Sequence, residues 1–348
     1  MKIVSFHYTY HPLHFYTAAT TSRDVLKIKP CWFIKLTFND GSSGLGEVSI
    51  IEGLSIETSE QIEQALAKYH LHPETIEQSD FSSLPSIQFA LEMCFLDQSS
   101  TDHVLFKTSF TTGQSPIPIN GLVWMGSIDY MIQQVGEKIE QGFSCVKLKI
   151  GAQDWKQEMA IIKTIRANWD ASKIMIRVDA NGAFSPSEAL NKLNELSRWD
   201  IHSIEQPIEA GQMEEMAKLC AHTPLPIALD EELIGVHVEQ RAALLDTIQP
   251  QFIILKPSLV GGLAASDHWI ELCEKRGIDW WATSALESNI GLSAIAQWVA
   301  TKNKDGYQGL GTGKLYSNNI QAPLLVEKGE LHYTSAPWET NQISKLLA

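Results

Sequence analysis

The chain has 348 residues, of which 44% are hydrophobic, 20% charged and 9% aromatic, and its formal net charge is −14. This composition describes a globular chain and excludes a disordered one, and the length suits a large core with a smaller domain beside it. The acid surplus argues against nucleic acid as a partner, because phosphate binding needs clustered Lys and Arg.

At the N-terminus MKIVSFHYTY alternates as a first strand. Its apolar run is broken by His and Tyr and no small-residue cleavage site follows, so it does not read as a secretory signal. WFIKLTFND is the next strand, and NDGSSGLGE supplies a turn and a returning strand. Between the first two strands, His11 to Asp24 (HPLHFYTAATTSRD) reads as a long loop of aromatic, small and hydroxyl side chains, the kind in which function concentrates. Helical stretches around Ser59–Lys68 and Ser86–Leu96 complete an α+β module, expected to span residues 1–115. Nowhere does the chain approach the roughly 18 uninterrupted apolar residues of a membrane-crossing helix, and the cytoplasm is its expected location. The five cysteines (Cys31, Cys94, Cys145, Cys220 and Cys273) are odd in number, never spaced C-x-x-C, and read as buried thiols.

From about Ile117 the pattern changes. PINGLVW, CVKLKIG, IMIRVDA, SIEQPI, PIALDEE, FIILKPS, DWWATSA and YQGLGTG are eight β-rich runs, starting near 118, 145, 174, 203, 226, 252, 279 and 307. Helix-compatible segments such as SIDYMIQQVGEKIEQG lie between them. Eight β–α units of near-constant length predict a (β/α)8 TIM-type barrel over residues 116–320, with room for a degenerate last helix. A doubly wound sheet would carry a Gly-rich phosphate turn after its first strand, which NGLVWMG is not. Residues 321–348 read as a tail that returns to the N-terminal module.

Active sites of such barrels form at the C-terminal ends of the strands. Lys147 and Lys149 stand there on the second strand, Asp179 on the third, Glu205 on the fourth, Asp230 on the fifth and Lys256 on the sixth. From Asp179 onward the spacing is 26, 25 and 26 residues, which is the barrel repeat, so these side chains project into one mouth. Three carboxylates there repel unless a cation neutralises them. An all-oxygen donor set suits a hard ion, Mg²⁺ or Mn²⁺. Residues two apart share a strand face, so Lys147 and Lys149 both point inward. Two ammonium groups so placed beside a metal are expected to lower each other's pKa, which fits one of them as a general base. Such a device removes a proton next to a carboxylate, the metal neutralising the enediolate that forms.

These same motifs carry a family resemblance. K-x-K (Lys147, Lys149), D-x-N (Asp179, Asn181), E-Q-P (Glu205), L-D-E (Asp230) and L-K-P (Lys256) resemble the enolase superfamily, muconate-lactonising-enzyme subgroup. INGLVWMG, RVDANGAF, KPSLVGG, SALESNIG and GLGTG are most similar to its o-succinylbenzoate synthase family. SIQFALEMCFLD resembles the helix that leads into the family's barrel, and GLGE a turn of its N-terminal capping domain. The resemblance covers nearly the whole chain. It implies metal binding by Asp179, Glu205 and Asp230, and dehydration of a cyclohexadiene carboxylate in menaquinone biosynthesis. Lys149 would take the proton and return it to the departing hydroxyl. Lys147 would tune Lys149 and hold the substrate carboxylate, and Lys256 would stabilise the enediolate from the opposite face. Asn181 and the backbone around Ser284, Gly311 and Thr312 would contact the substrate. Arg177, on the strand face of Asp179, is the expected extra polar contact, and the loop His11–Asp24 would close over the succinyl tail.

Other readings stand beside these. Racemisation of N-acyl amino acids needs two opposed lysines, which Lys149 and Lys256 supply. Dipeptide epimerases carry Asp-x-Asp on the eighth strand, where this chain reads GLGTGKLY; muconate cycloisomerisation uses the same ligands. A metal-binding barrel without catalysis is a fourth reading, opposed by the presence of both lysine sides. The partner is a small-molecule carboxylate, with no nucleic acid or membrane. Glu287 reads as a loop-structuring residue, Trp280 and Trp281 as barrel packing, and His11, His14, His202, His222 and His268 as loop or surface residues without ligand spacing.

Overall fold

The computed structural model describes residues 2–20, 25–339 and 347. Five strands open the chain: β1 (Ile3–Tyr10), β2 (Leu13–Thr20), β3 (Val25–Lys29), β4 (Cys31–Phe38) and β5 (Ser43–Ser49). They form an antiparallel sheet in the order β1-β4-β5, with β2 and β3 paired to each other outside it. The expected loop His11–Asp24 is thereby corrected. Most of it is strand, with Leu13 opposite Lys29 and His14 opposite Ile28, and residues 21–24 lie outside the described residues. Its Phe, Tyr and Thr residues favour a pleated surface, and VLKIK is the partner the sequence reading passed over.

Trp32, Ile34, Leu36 and Phe38 of β4 lie on one strand face and are buried among Ile62, Leu66, Ile87 and Ala90. Burial of each such side chain contributes about 2–3 kcal/mol. Ile62 and Leu66 belong to α1 (Ser59–Leu71), whose first turn is closed by a Thr58–Gln61 capping box. Ile87 and Ala90 belong to α2 (Pro85–Asp97), which is apolar over most of its girth because the sheet covers one side and the barrel another. GLGE, expected as a turn, lies within β5 against α2. A Cβ on Gly44 would come 1.9 Å from the Cys94 carbonyl oxygen, and one on Gly46 would come 2.2 Å from that of Ala90. Only glycine permits this approach.

After β6 (Ile117–Pro118) come seven parallel strands: β7 (Gly121–Val123), β8 (Cys145–Lys149), β9 (Met175–Asp179), β10 (Ile201–Glu205), β11 (Ile227–Leu229), β12 (Phe252–Leu255) and β13 (Asp279–Ala282). They lie side by side in chain order. Around them run α3 (Ile128–Glu140), α4 (Trp155–Asn168), α5 (Pro186–Leu196), α6 (Met213–His222), α7 (Arg241–Ile248), α8 (Pro257–Val260), α9 (Leu263–Glu274) and α10 (Asn289–Thr301). The eighth strand is reduced to two bridges, Gln308 with Ile119 and Gly309 with Thr283. Asn120 donates its N–H to the Gln308 carbonyl at 2.9 Å and Gly309 donates to Ala282 at 2.8 Å, which links the last position to both neighbours. GLGTG is too rich in glycine to make a longer strand. No helix separates Gly309 from the final hairpin among the described residues. That hairpin, β14 (Leu324–Glu327) with β15 (Glu330–Tyr333), adds to β6 at the seam between module and barrel.

Two module carboxylates dock on barrel helix ends. Glu92 accepts N–H groups from Leu263 at 2.5 Å and Ala264 at 3.3 Å where α9 begins. Glu47 accepts N–H groups from Ser288 and Gly291, each at 2.8 Å, where α10 begins. First-turn N–H groups have no partner within their helix, so an anion there contributes about 0.3–2 kcal/mol.

Candidate active site

Lys149 of β8, Asp179 of β9 and Glu205 of β10 are neighbours in strand register, and their strands end at one mouth with Asp230 and Lys256. Lys147 Nζ donates to Asp179 Oδ2 at 3.0 Å and to Glu205 Oε2 at 2.8 Å. Lys149 Nζ donates to the same Asp179 oxygen at 2.5 Å and to Asn181 Oδ1 at 2.7 Å. Lys256 donates to Asp230 Oδ2. The strand-end spacing has brought all six charged residues together.

All three carboxylates are buried, and they divide their charge unequally. Burial raises the pKa of Asp179, but the Lys147 and Lys149 ammonium groups outweigh it and hold the net well below the usual carboxylate range. Asp230 is likewise lowered on balance, burial being outweighed chiefly by Lys256. Glu205 is pushed well up, by burial and then by the charge of Asp179. Among the protein's own groups burial lowers Lys147, yet Asp179 and Glu205 outweigh that and raise it.

The site's fit to a divalent cation rests on Glu205. Beyond burial, its carboxyl is raised by the charges of both Asp179 and Asp230, a crowding that a proton or another positive charge relieves. Its Oε1 is buried without a protein donor. Among the described residues no three His, Cys, Asp or Glu groups already stand as a metal cage, because each carboxylate is drawn onto a lysine. The donor set is nevertheless all oxygen, carries up to three negative charges and suits a hard cation.

Above this floor is a cavity of about 490 Å³, lined by Lys147, Lys149, Lys256 and Asn181 and, across from them, by Ser284, Gly311 and Thr312. The Ser284 and Thr312 hydroxyls are 2.7 Å apart. Asn181 (φ 47°), Gln206 (φ 37°) and Leu286 (φ 62°) hold left-handed backbone in the loops of this end, and such strain persists only where surroundings enforce it. Asn181 is also oriented by donating to Glu231 Oε1 at 2.9 Å. Glu232 accepts from Gln206 at 3.1 Å and from the Gly211 N–H at 3.0 Å, so it is a buried brace.

Arg177 is not brought to the cavity. It points inward one layer below Asp179, donating to the Tyr307 carbonyl at 2.8 Å with its guanidinium 4.0 Å over the Trp281 ring. His202, expected at a loop or surface, lies half-buried beside the same ring. The sequence reading missed the wall supplied by the module, Leu26 and Ile51–Leu54, and the rim residues Trp124 and Tyr130. The turn signal at Gly53 (φ 78°) was visible, but nothing local says that it faces a cavity.

Residues 130–337 match the family model described as enolase C-terminal domain-like. The chain is 47% identical to an o-succinylbenzoate synthase of Desulfotalea psychrophila, over 92% of this chain and 96% of that one. It is similar to the crystal structure of MenC from the same organism, with a TM-score of 0.85 and 43% identity over 95% of this chain and all of that one. The muconate lactonizing enzyme of Pseudomonas fluorescens shares the fold at 22% identity, with a TM-score of 0.87 over 100% of this chain and 99% of that one. With the barrel, its cap and the carboxylate–lysine mouth in place, these matches establish that the chain belongs to the enolase superfamily.

Proposed function

We propose that this chain is an o-succinylbenzoate synthase, dehydrating 2-succinyl-6-hydroxy-2,4-cyclohexadiene-1-carboxylate to o-succinylbenzoate for menaquinone biosynthesis in the cytoplasm. The observation that carries the reading is the pairing of the Lys149–Lys256 cavity with a wall at Gly309–Gly313 that has hydroxyl and glycine positions but no carboxylate. On that side the wall suits an anionic or neutral tail and gives no counter-charge to an ammonium, the cavity's carboxylates Glu52 and Glu137 standing on the cap and α3 sides.

Lys149, as the free amine, takes the proton from the carbon that bears the substrate carboxylate. It returns that proton to the hydroxyl leaving from the same face, so one base serves both steps and water departs as the ring becomes aromatic. Lys147 balances the carboxylates and meets the substrate carboxylate. Lys256 stands on the other side of the mouth, at the end of β12 with three strands between it and β8, and stabilises negative charge as it develops. Asn181 orients Lys149 through their hydrogen bond. Asp179, Glu205 and Asp230 would hold Mg²⁺ or Mn²⁺, which when bound supplies the positive charge that a dianionic enediolate needs. The chain divides into a cap (1–115), a catalytic barrel (116–320) and a tail (321–348), the cap's β1-β4-β5 sheet and the seven-stranded barrel sheet supporting the first two, while the tail hairpin pairs with β6.

One observation favours a second activity: Lys149 and Lys256 line one cavity from opposite sides, the arrangement that N-acyl amino acid racemisation requires. Incubating the chain and Mg²⁺ with the cyclohexadiene carboxylate tests the main reading. Appearance of the aromatic product at enzymic rates supports it; no product above the uncatalysed rate defeats it.

A further inference from the structure

Directly behind the cavity wall formed by Ser284, Ala285 and Leu286 lies a cluster of buried charge that the chemistry above does not use. Glu287 is fully buried; its Oε1 accepts from the Ser258 hydroxyl at 2.5 Å and its Oε2 has no donor. Lys29, at the end of β3, is 2% exposed and donates to the Ser49 hydroxyl. Burial depresses its pKa, and the charges of Glu287 and then Glu47 act against that. Glu47 in turn accepts the Ser288 N–H and, at 2.5 Å, the Ser288 hydroxyl. Glu47 thus ties β5 to the wall loop, and Glu287 ties that loop to α8, which begins one residue after Lys256; Lys29, bonded to Ser49 within the cap, acts on both through its charge.

Buried ion clusters add little net stability compared with apolar packing, but removing one member leaves an uncompensated charge. Their hydrogen bonds have direction, so they select one arrangement of the parts they join. The wall loop has such an arrangement to hold: Leu286 is left-handed at φ 62°, its N–H bonded to Ser284 Oγ at 2.9 Å and its carbonyl to the Tyr316 hydroxyl at 2.6 Å.

We propose that Lys29, Glu47 and Glu287 are positioning residues, a buried charge cluster through which the seated cap fixes the 284–288 wall and the Ser284–Thr312 hydroxyl pair. The inference rests on the dehydratase reading for its substrate, but the coupling itself is independent of it. Small displacements at such a wall weaken substrate binding without touching the base.

The test uses Lys29→Met, Glu287→Gln and the double variant, with two readouts. Each single variant is expected to exchange amide hydrogens in residues 284–291 about tenfold faster without substrate. Each is also expected to raise KM for the cyclohexadiene carboxylate about tenfold while kcat changes less than about threefold. The double variant, which removes both charges, should lie nearer the wild type than either single. Unchanged exchange in the folded variants overturns the proposal, and so does faster exchange with KM unmoved. Should Lys29→Met fail to fold, Glu287→Gln alone carries both readouts. A wild-type chain without dehydratase turnover would defeat the functional reading instead, and the exchange readout would still decide the coupling.

Discussion

Lys149 shares hydrogen bonds with Asp179 and Asn181, so removing its amine takes away the proposed base while leaving the carboxylates and the cavity wall. Lys149→Ala should lower kcat by at least about a thousandfold, the scale of general base catalysis, and leave the affinity for o-succinylbenzoate within about tenfold. Titration showing collapsed product binding with high residual turnover would make Lys149 a binding residue instead. Lys256→Ala should be comparably severe, and Lys256→Arg should keep part of the rate, because its proposed role is charge rather than proton transfer. Another titration belongs to the barrel interior. His202 is held down to about 4, by burial first and by the Arg177 charge second. Its folded pKa lies below the unfolded value of about 6.5, so the unfolded chain binds the extra proton between them and stability falls as pH drops through that window. The half-buried ring limits the effect to about 1–2 kcal/mol, and in thermal unfolding from pH 7 to pH 4 His202→Gln should lose less stability than the wild type. Equal losses would remove His202 from the acid response. Arg177 shows how far residue spacing can be read. Its alternation with Asp179 gave the right strand face, but two residues along a strand is about 6.6 Å, enough to exchange the mouth for the layer beneath it.

Among the elements, β5 and α2 approach one another through glycine. The Cβ of Gly46→Ala would have to fit at 2.2 Å from the Ala90 carbonyl oxygen, which backbone atoms cannot relieve without moving the helix. Overpacking of this kind costs about 1–3 kcal/mol and at times more. Because α2 also carries Glu92 to the start of α9, Gly46→Ala should lower the melting temperature and loosen the cap together. Denaturant unfolding checks it, and a variant as stable as wild type would show that α2 shifts freely. The barrel elements were legible because each repeats one simple instruction, a short β-branched run and then an amphipathic helix, and seven strands begin within three residues of their expected starts. The eighth was legible as a position more than as a strand, since Gln308 and Gly309 make their bridges while the surrounding glycines supply little β preference. In the cap, the hairpin of β2 and β3 escaped reading because its two strands have no strong turn signal between them and, among the described residues, only one fully buried apolar anchor, Leu13. Their pairing is set by tertiary contacts, such as the bridge of Phe15 to Tyr316.

At the scale of the whole molecule the site exists only when the barrel closes, because its carboxylates come from three strands and its cavity wall from both cap and barrel. A chelator should therefore abolish turnover and added Mg²⁺ or Mn²⁺ restore it, while Asp179→Asn, Glu205→Gln or Asp230→Asn should weaken metal affinity and cut kcat severely. Full activity in a chelated, metal-free preparation would end that proposal. The carboxylate–lysine mouth was legible in the sequence because one covalent repeat places its members; the cavity's cap-side wall was not, because no local pattern specifies which surface the cap presents. Specificity depends on that assembled wall. Dehydration of the cyclohexadiene carboxylate gains the stability of an aromatic ring, and asks only that the enzyme hold charge on the way. Epimerisation of a dipeptide has no such driving force and needs a carboxylate to seat the substrate ammonium, which Gly309–Gly313 does not provide. An ammonium seated at the eighth strand, away from the cavity's Glu52 and Glu137, costs several kcal/mol without a partner, so with both assays run at one metal concentration and pH, kcat/KM for dehydration should exceed that for dipeptides by more than about a thousandfold. N-acyl amino acids lack the ammonium and should fall between the two, turned over by the facing pair Lys149 and Lys256. Fast dipeptide epimerisation with negligible dehydration would overturn the assigned reaction and leave only the superfamily, since the metal and lysine groups are common to both chemistries and the wall alone distinguishes them.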